Sequence, residues 1–257
     1  MAVNWRNSFR RVTTSLIARY PFVNAVSLLM LLGERAHRER YPPIEPKLIY
    51  LHLGLFIACG VCMSFDLKRR EATFVHVGQL IWLAGTLYTN NKLKYTEWLR
   101  IRMSLRTMGV AAIFLWYSHF ACREPLKSVQ NRRLGEIVGG IYLIAQVYCL
   151  MESSEDKTAF LKHVPGSTVS LYIYAIILSA CALCYLPGMF VHDVNQLLVI
   201  LLTIVTLLVD TDFNYWSKKR GLDFWNQFRL LSDNLLIALG LLMYLSFTKK
   251  QIYTKDD

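Results

Sequence analysis

The chain has 257 residues, of which 54% are hydrophobic and only 18% are charged, and its formal net charge is +11 at pH 7. A soluble globular domain carries about 45–50% apolar and about 25% charged residues, so this composition argues against a soluble protein. The basic residues lie at the ends of apolar runs, which indicates contact with anionic lipid headgroups and argues against nucleic acid as a partner.

Residues 1–20 predict a basic amphipathic segment. Apolar residues recur every three or four positions, at Trp5, Phe9, Val12, Leu16 and Tyr20, while arginines fill the opposite face and acidic residues are absent. This pattern is typical of a helix that lies on an anionic membrane surface. It is also typical of a mitochondrial presequence, so a mitochondrial membrane is one location that the sequence suggests.

Eight candidate membrane spans follow, at 21–33, 48–65, 73–90, 103–121, 134–151, 169–190, 194–209 and 228–247. Most approach the roughly 20 residues that a helix needs to cross about 30 Å of hydrocarbon. The runs do not alternate between apolar and polar residues, which excludes a β-barrel. We therefore predict one all-α domain over 1–257, a polytopic integral membrane helical bundle of about eight transmembrane helices with short loops and a polar tail at 248–257.

An even number of spans puts both termini on one side of the membrane, called side A here; the opposite side is side B. Lysine and arginine residues outside the spans are about equally numerous on the two sides, so the positive-inside rule leaves the orientation open.

Charged residues inside the spans predict a buried cluster at side B. Arg102 and Arg106 are four residues apart and therefore share one face of the fourth span. Asp210 ends the seventh span, and Asp233 lies about one turn into the eighth. Because ionisable groups in spans usually face a partner or a cavity, we expect the arginines to pair with Asp210 or Asp233. The alternative is that the arginines reach the headgroups independently.

The hairpin between the last two spans contains four aromatic residues, Tyr215, Trp216, Phe224 and Trp225. Amphipathic rings collect at the membrane–water interface, so we predict that these four residues form an interface belt.

Two cysteine pairs, Cys59 with Cys62 and Cys181 with Cys184, each share a helix face and lie toward side A. Four converging thiols would suit a metal ion, but cysteine inside a span more often packs as a small apolar residue. No nucleotide-binding, zinc-protease or nucleophile-elbow motif occurs. We therefore predict no catalytic, cofactor-binding or metal-binding residue and no enzymatic activity.

Several short stretches resemble the transmembrane protein 101 family. They are ERA at 34–36, MSFDLKRR at 63–70, WLRIRMSLRT at 98–107, GIYLI at 140–144, SEDKTAFLKHVPG at 154–166, YW at 215–216 and FWNQ at 224–227, and they occur in the family's order and spacing. The resemblance implies a multi-pass membrane protein of about eight spans without established enzymatic activity. It also implies a link to positive regulation of NF-kappa-B signalling, and it supplies no catalytic residues.

Two functional hypotheses follow. The first is a non-enzymatic scaffold or modulator that acts through protein partners, which the sequence does not identify. The alternative is a transporter or channel for a small solute or lipid that uses the buried arginine–aspartate cluster. Gly135 and Gly139 have the spacing of close helix packing, which would serve the bundle interior first and a homodimer second.

Overall fold

The computed structural model describes residues 5–40, 42, 45–89, 95–121 and 129–253. The ends of the predicted N-terminal segment and C-terminal tail, 1–4 and 254–257, lie outside the described residues. The regular elements of the described residues are all helical. The α-helices are α1 (Trp5–His37), α2 (Pro46–Ser64), α3 (Arg69–Thr89), α4 (Glu97–Phe120), α5 (Val129–Glu152), α6 (Ser154–His163), α7 (Ser167–Tyr185), α8 (Val191–Val205) and α9 (Phe224–Tyr253).

Six helices among the described residues are long and apolar enough to cross a membrane: α1, α2, α5, α7, α8 with its continuation, and α9. Their outer faces expose large apolar residues such as Val169, Ile176 and Ile200, which lipid would cover. The helical membrane bundle predicted from the sequence is therefore confirmed. The count of about eight remains a prediction for α3 and α4, which are 21 and 24 residues long but carry more polar residues.

Helices α4 and α9 pack against each other at the centre of the bundle, with α1, α2 and α3 to one side and α5, α7 and α8 to the other. Every residue of α4 from Gly109 to Ser118 is buried. The two central helices approach closely because each has a glycine at the crossing. A Cβ at Gly240 of α9 would lie 2.3 Å from Ile113 Cγ2, and one at Gly109 would lie 2.9 Å from Ile237 Cδ1.

The N-terminal amphipathic segment, as far as it is described, continues directly into the first span. Helix α1 runs unbroken through Pro21. Thr13 and Ile17 face the bundle, whereas Val12 and Leu16 lie on the outer surface, where their apolar side chains are available to lipid. The described residues of the segment therefore belong to one long helix together with the span.

The stretch between the fifth and sixth predicted spans contains a short helix, α6, rather than an irregular loop. The Ser153 hydroxyl caps it by accepting a hydrogen bond from the Asp156 backbone N–H at 3.2 Å. Acidic residues fill its first turn, and Lys162 and His163 lie in its last turn, so both ends match the helix dipole. Helix α8 also continues beyond Val205 as a π-helical turn, Thr206–Asp210.

Candidate functional site

A buried cluster of charges joins α4 to the end of α8. Arg102 and Arg106 stand one turn apart on α4, and the π-helical turn that ends at Asp210 lies beside them. Arg102 Nη2 donates to Asp210 Oδ1 at 2.6 Å. Arg106 donates from both terminal nitrogens, to Oδ2 and Oδ1, at 3.2 Å each. All three side chains are more than nine-tenths buried, so the ion pairs lie inside the protein.

Helix α9 supplies further hydrogen-bond donors to Asp210. Asn234 Nδ2 donates to Asp210 Oδ2 at 2.6 Å, and Gln227 Nε2 donates to the Asp210 carbonyl oxygen at 2.7 Å. Arg106 also donates to the Leu230 carbonyl oxygen at 3.1 Å. The carboxylate of Asp210 therefore accepts hydrogen bonds from two helices, and the cluster ties α4, α8 and α9 together at side B.

Two residues of the cluster were not expected from the sequence. Asp156 of α6 accepts a hydrogen bond from Arg102 Nη1 at 2.5 Å, because α6 folds back over the end of α8. The guanidinium carbon of Arg102 lies 4.0 Å from the centre of the Trp216 ring, a cation–π contact. Asp156 lies in a short acidic stretch just after two serines and outside any predicted span, a context that indicates the first turn of a helix rather than a partner for a membrane arginine.

Asp233 does not join this cluster, which corrects the expectation that grouped it with the two arginines and Asp210. It directly precedes Asn234 on α9 but lies on another face of that helix, where it is buried and the Tyr20 hydroxyl of α1 donates to its carboxylate. The buried Arg229 lies on the preceding turn of α9. Asp233 is buried as expected for a charge inside a span, but its side chain points toward α1.

The predicted interface belt divides into buried and exposed halves. Tyr215 and Trp216 are buried inside the protein, so the prediction that these two residues contact lipid headgroups was wrong. Trp216 lies beneath Arg102 and donates its indole N–H to the Val209 carbonyl at 2.8 Å. Phe224 is exposed and Trp225 half-buried, which suits headgroup contact. Tyr215 and Trp216 are buried because Lys162 of α6 lies over the Tyr215 ring and Arg102 of α4 lies over the Trp216 ring.

Helix α6 is also held by a contact at its last residue. His163 Nε2 lies 3.1 Å from Asp212 Oδ2, while His163 Nδ1 lies 2.8 Å from the Ala159 carbonyl oxygen. Both ring nitrogens thus lie within hydrogen-bonding distance of an oxygen atom, which fixes the orientation of the ring. The Tyr215 backbone N–H, at 2.9 Å, and His163 lower the pKa of Asp212 below its ordinary value.

A second charge cluster joins α1 to the start of α9. Asp223, which is buried, accepts hydrogen bonds from Arg35 at 3.1 Å, from Arg38 at 3.2 Å and from Arg40 at 2.9 Å. The Glu34 carboxylate accepts the first two backbone N–H groups of α9 at 3.1 and 3.2 Å, so α1 caps α9. Asp223 was missed because the sequence places it in a hairpin, where an acid is expected to be solvated.

A cavity of about 50 Å³ lies beside the first cluster, between α4, α5, α6, α7 and the end of α8. Its polar lining residues are Arg102, Arg106, Gln146, Cys149, Asp156, Tyr174 and Asp210, and its apolar lining residues are Leu105, Leu150, Phe160, Val205 and Val209. A second cavity of about 20 Å³ follows deeper in the bundle, lined by Gly109, Ile113, Tyr142 and other mainly apolar residues.

The two cysteine pairs do not form a common site. Within the part of the chain that the structure describes, no group of three or more histidine, cysteine, aspartate or glutamate residues could hold a metal ion. Cys59 and Cys181 are buried and Cys62 and Cys184 half-buried, with all four thiols unbridged.

The TMEM101 protein family matches residues 6–246, which is nearly the whole chain. The chain therefore belongs to this family, and the resemblance inferred from the short stretches is confirmed. No solved structure matches the chain.

Proposed function

We propose that this member of the TMEM101 protein family is a non-enzymatic membrane scaffold that promotes NF-kappa-B signalling through protein partners. The observation that carries the proposal is that Asp210, the more buried of the two acids in the first cluster, has a full set of hydrogen bonds. Both of its carboxylate oxygens accept hydrogen bonds from fixed arginine and asparagine donors. An acid held in this way stabilises the bundle and is poorly suited to exchange protons with a substrate.

Partners of a scaffold would bind its exposed turns rather than its interior. On side A, Lys68 lies in the exposed turn between α2 and α3; on side B, Lys218 lies in the exposed turn between α8 and α9. A soluble signalling partner reaches only the side that faces the cytosol. One of these two turns is therefore expected to matter for signalling while the other does not.

A reporter experiment tests the proposal. Wild-type protein and the Lys68→Glu, Lys218→Glu and Arg106→Met variants are expressed in cells that carry an NF-kappa-B-driven reporter, with the signal divided by the amount of protein in membranes. We expect one of the two lysine reversals to lower the signal per molecule. Arg106→Met is expected to lower the amount of protein and to leave the signal per molecule unchanged. A loss of signal per molecule in Arg106→Met alone would contradict a scaffold.

A second candidate, transport of a small solute or lipid, is favoured by the placement of the two cavities along α4. Leu105 and Arg106 line the larger cavity, and Gly109 and Ile113, about one and two turns deeper, line the smaller one. Proteoliposomes with a trapped pH indicator and a fluorescent phospholipid would test this candidate. Transport of protons or phospholipid predicts faster proton entry or faster lipid exchange between leaflets than in protein-free vesicles, and equal rates would refute transport of these two species.

A further inference from the structure

Arg19 lies on the outer surface of α1, inside the part of this helix that can cross the membrane. That part runs from Asn7 to His37, so it includes residues that the sequence had placed before the first span. Arg19 is exposed, and it has no hydrogen-bond or ion-pair partner among the residues that the structure describes. Because an ionisable side chain inside a span almost always faces a partner, the outer face of α1 calls for a molecule that covers it.

Two contacts between α1 and α9 give the depth of Arg19. At side A, the guanidinium carbon of Arg10 lies 3.9 Å from the centre of the Phe247 ring, close to the end of the last span. Arg19 lies nine residues further along α1, which is about 13 Å deeper, and the adjacent Tyr20 bonds to Asp233. That distance exceeds the length of an arginine side chain, and the side B end of α1 is further away. Snorkelling therefore does not bring the guanidinium to the headgroups.

A second copy of this chain does not supply the counter-charge. The acids inside the bundle that the structure describes, such as Glu136, Asp210 and Asp233, are buried and already accept hydrogen bonds. The exposed acids among the described residues lie in turns or in the first or last turn of a helix, and they are Glu39, Glu45, Asp66, Glu71, Glu97, Glu152 and Asp193. None of these lies as deep in a span as Arg19, so the carboxylate or phosphate that pairs with it belongs to a different molecule.

The surroundings of Arg19 favour a helix over a lipid headgroup. A stripe of exposed or half-buried residues follows one face of α1 at intervals of three or four positions, through Val12, Leu16, Arg19, Val23, Val26 and Met30. The stripe is apolar on both sides of the arginine, and a neighbouring helix can pack along its whole length. A lipid phosphate stays near the headgroup level, whereas a side chain of a crossing helix can hold a carboxylate at any depth.

We propose that this stripe is a docking surface for a transmembrane helix of another protein, and that the helix carries an aspartate or glutamate at the depth of Arg19. The carboxylate accepts two parallel hydrogen bonds from the guanidinium, and the pair is neutral in the hydrocarbon. The surface is separate from the exposed turns that are proposed to bind soluble signalling partners. Either interaction can therefore be lost without the other.

The first test uses model helices with the wild-type protein. Purified protein that carries a fluorescent donor is reconstituted in phosphatidylcholine vesicles with acceptor-labelled peptides of about 20 leucine and alanine residues between terminal lysines. The central residue of the peptide is aspartate, asparagine or leucine. We expect energy transfer to show that the aspartate peptide associates about tenfold more strongly than the leucine peptide, with the asparagine peptide between them. Equal association of the three peptides, or no association, overturns the proposal.

The second test places the preference on Arg19. Arg19→Leu is expected to bring the aspartate and leucine peptides to equal association, whereas Arg11→Leu is expected to keep the preference. Arg11 is also exposed and lies about two turns nearer side A, so it controls for the lost charge. Thermal unfolding of both variants checks that the bundle is intact. A preference that persists in Arg19→Leu overturns the assignment.

The depth of the contact is tested with the wild-type protein and a changed peptide. Moving the aspartate two helical turns from the centre of the peptide is expected to lower its association to that of the leucine peptide. An aspartate that is equally effective at both depths overturns the pairing with Arg19.

A last arm separates a helix from a lipid phosphate. Acceptor-labelled phosphatidylglycerol replaces the peptide, and energy transfer is compared between wild type and Arg19→Leu. Equal transfer in the two proteins supports the helix. If Arg19→Leu lowers the transfer to this lipid while the wild-type protein shows no preference for the aspartate peptide, Arg19 binds lipid phosphate and the docking proposal is overturned.

Discussion

Replacing Asp210 by Asn removes the negative charge at the centre of the first cluster and keeps the size of the side chain. Arg102 retains Asp156 as a partner, but Arg106 is left with the Leu230 carbonyl oxygen and no anion within 4 Å among the described residues. An uncompensated buried charge typically costs about 3–5 kcal/mol of unfolding free energy. We therefore expect Asp210→Asn to destabilise the protein by about that amount.

The interaction between Arg106 and Asp210 can be isolated with a double-mutant cycle. Two unit charges 3.2 Å apart attract by about 5 kcal/mol at an effective dielectric constant of about 20, before the cost of desolvation is subtracted. Networked pairs typically show coupling energies of about 0.5–3 kcal/mol, and we expect a value near the upper end. Arg106→Met combined with Asp210→Asn should therefore be clearly more stable than the sum of the single losses predicts.

Reversible unfolding in mixed detergent micelles supplies the four free energies of unfolding. The matched control is a second cycle in which Asp233→Asn takes the place of Asp210→Asn. Asp233 is as buried as Asp210, but its carboxylate accepts a hydrogen bond from Tyr20. Arg106→Met with Asp233→Asn is expected to show a coupling energy below about 1 kcal/mol. Additive losses for the Asp210 pair, or a larger coupling for the Asp233 pair, would refute the assignment of partners.

Three further predictions concern packing, pH and the second cluster. Gly240→Ala is expected to cost about 1–3 kcal/mol of unfolding free energy because the new Cβ would lie 2.3 Å from Ile113 Cγ2, whereas Gly85→Ala, with nothing within 4 Å, should not destabilise the protein. Because a backbone N–H and a histidine lower the pKa of Asp212, its contribution to stability is present above its unfolded pKa of about 3.9 and is lost as pH falls through the lower folded value. Below about pH 4, the melting temperature of wild type should therefore fall more steeply with decreasing pH than that of Asp212→Asn, which has no carboxylate to protonate. If the two melting temperatures fell in parallel, this prediction would be wrong. Asp223→Asn is expected to cost about 3 kcal/mol by the same unfolding assay, because the ion pair between two buried side chains, Arg35 and Asp223, is broken; an unchanged free energy of unfolding would contradict this.

The candidate site was partly accessible from the sequence. Arg102, Arg106 and Asp210 stand out because charge is rare within apolar runs, and chain topology brings them to the same side of the membrane. Asp156 and Asp223 do not stand out, because each lies in a polar stretch where an acid needs no explanation. Their roles depend on α6 and the hairpin folding back onto helices that are distant in sequence.

Residue order alone is enough to identify this chain as a helical membrane bundle, and it predicts which charged residues lie near the ends of the spans. Apolar run length and position along a helix axis are one-dimensional quantities, so they can be read from residue order. Which neighbour each side chain contacts follows from how the helices pack and could not be inferred from residue order. Asp210 and Asp233 lie at similar depths, yet one faces Arg106 of α4 and the other faces Tyr20 of α1. Lipid tails contact any apolar helix face about equally well, so lipid does not fix the rotation of a helix about its axis. That rotation depends on packing and hydrogen bonds with all the neighbouring helices.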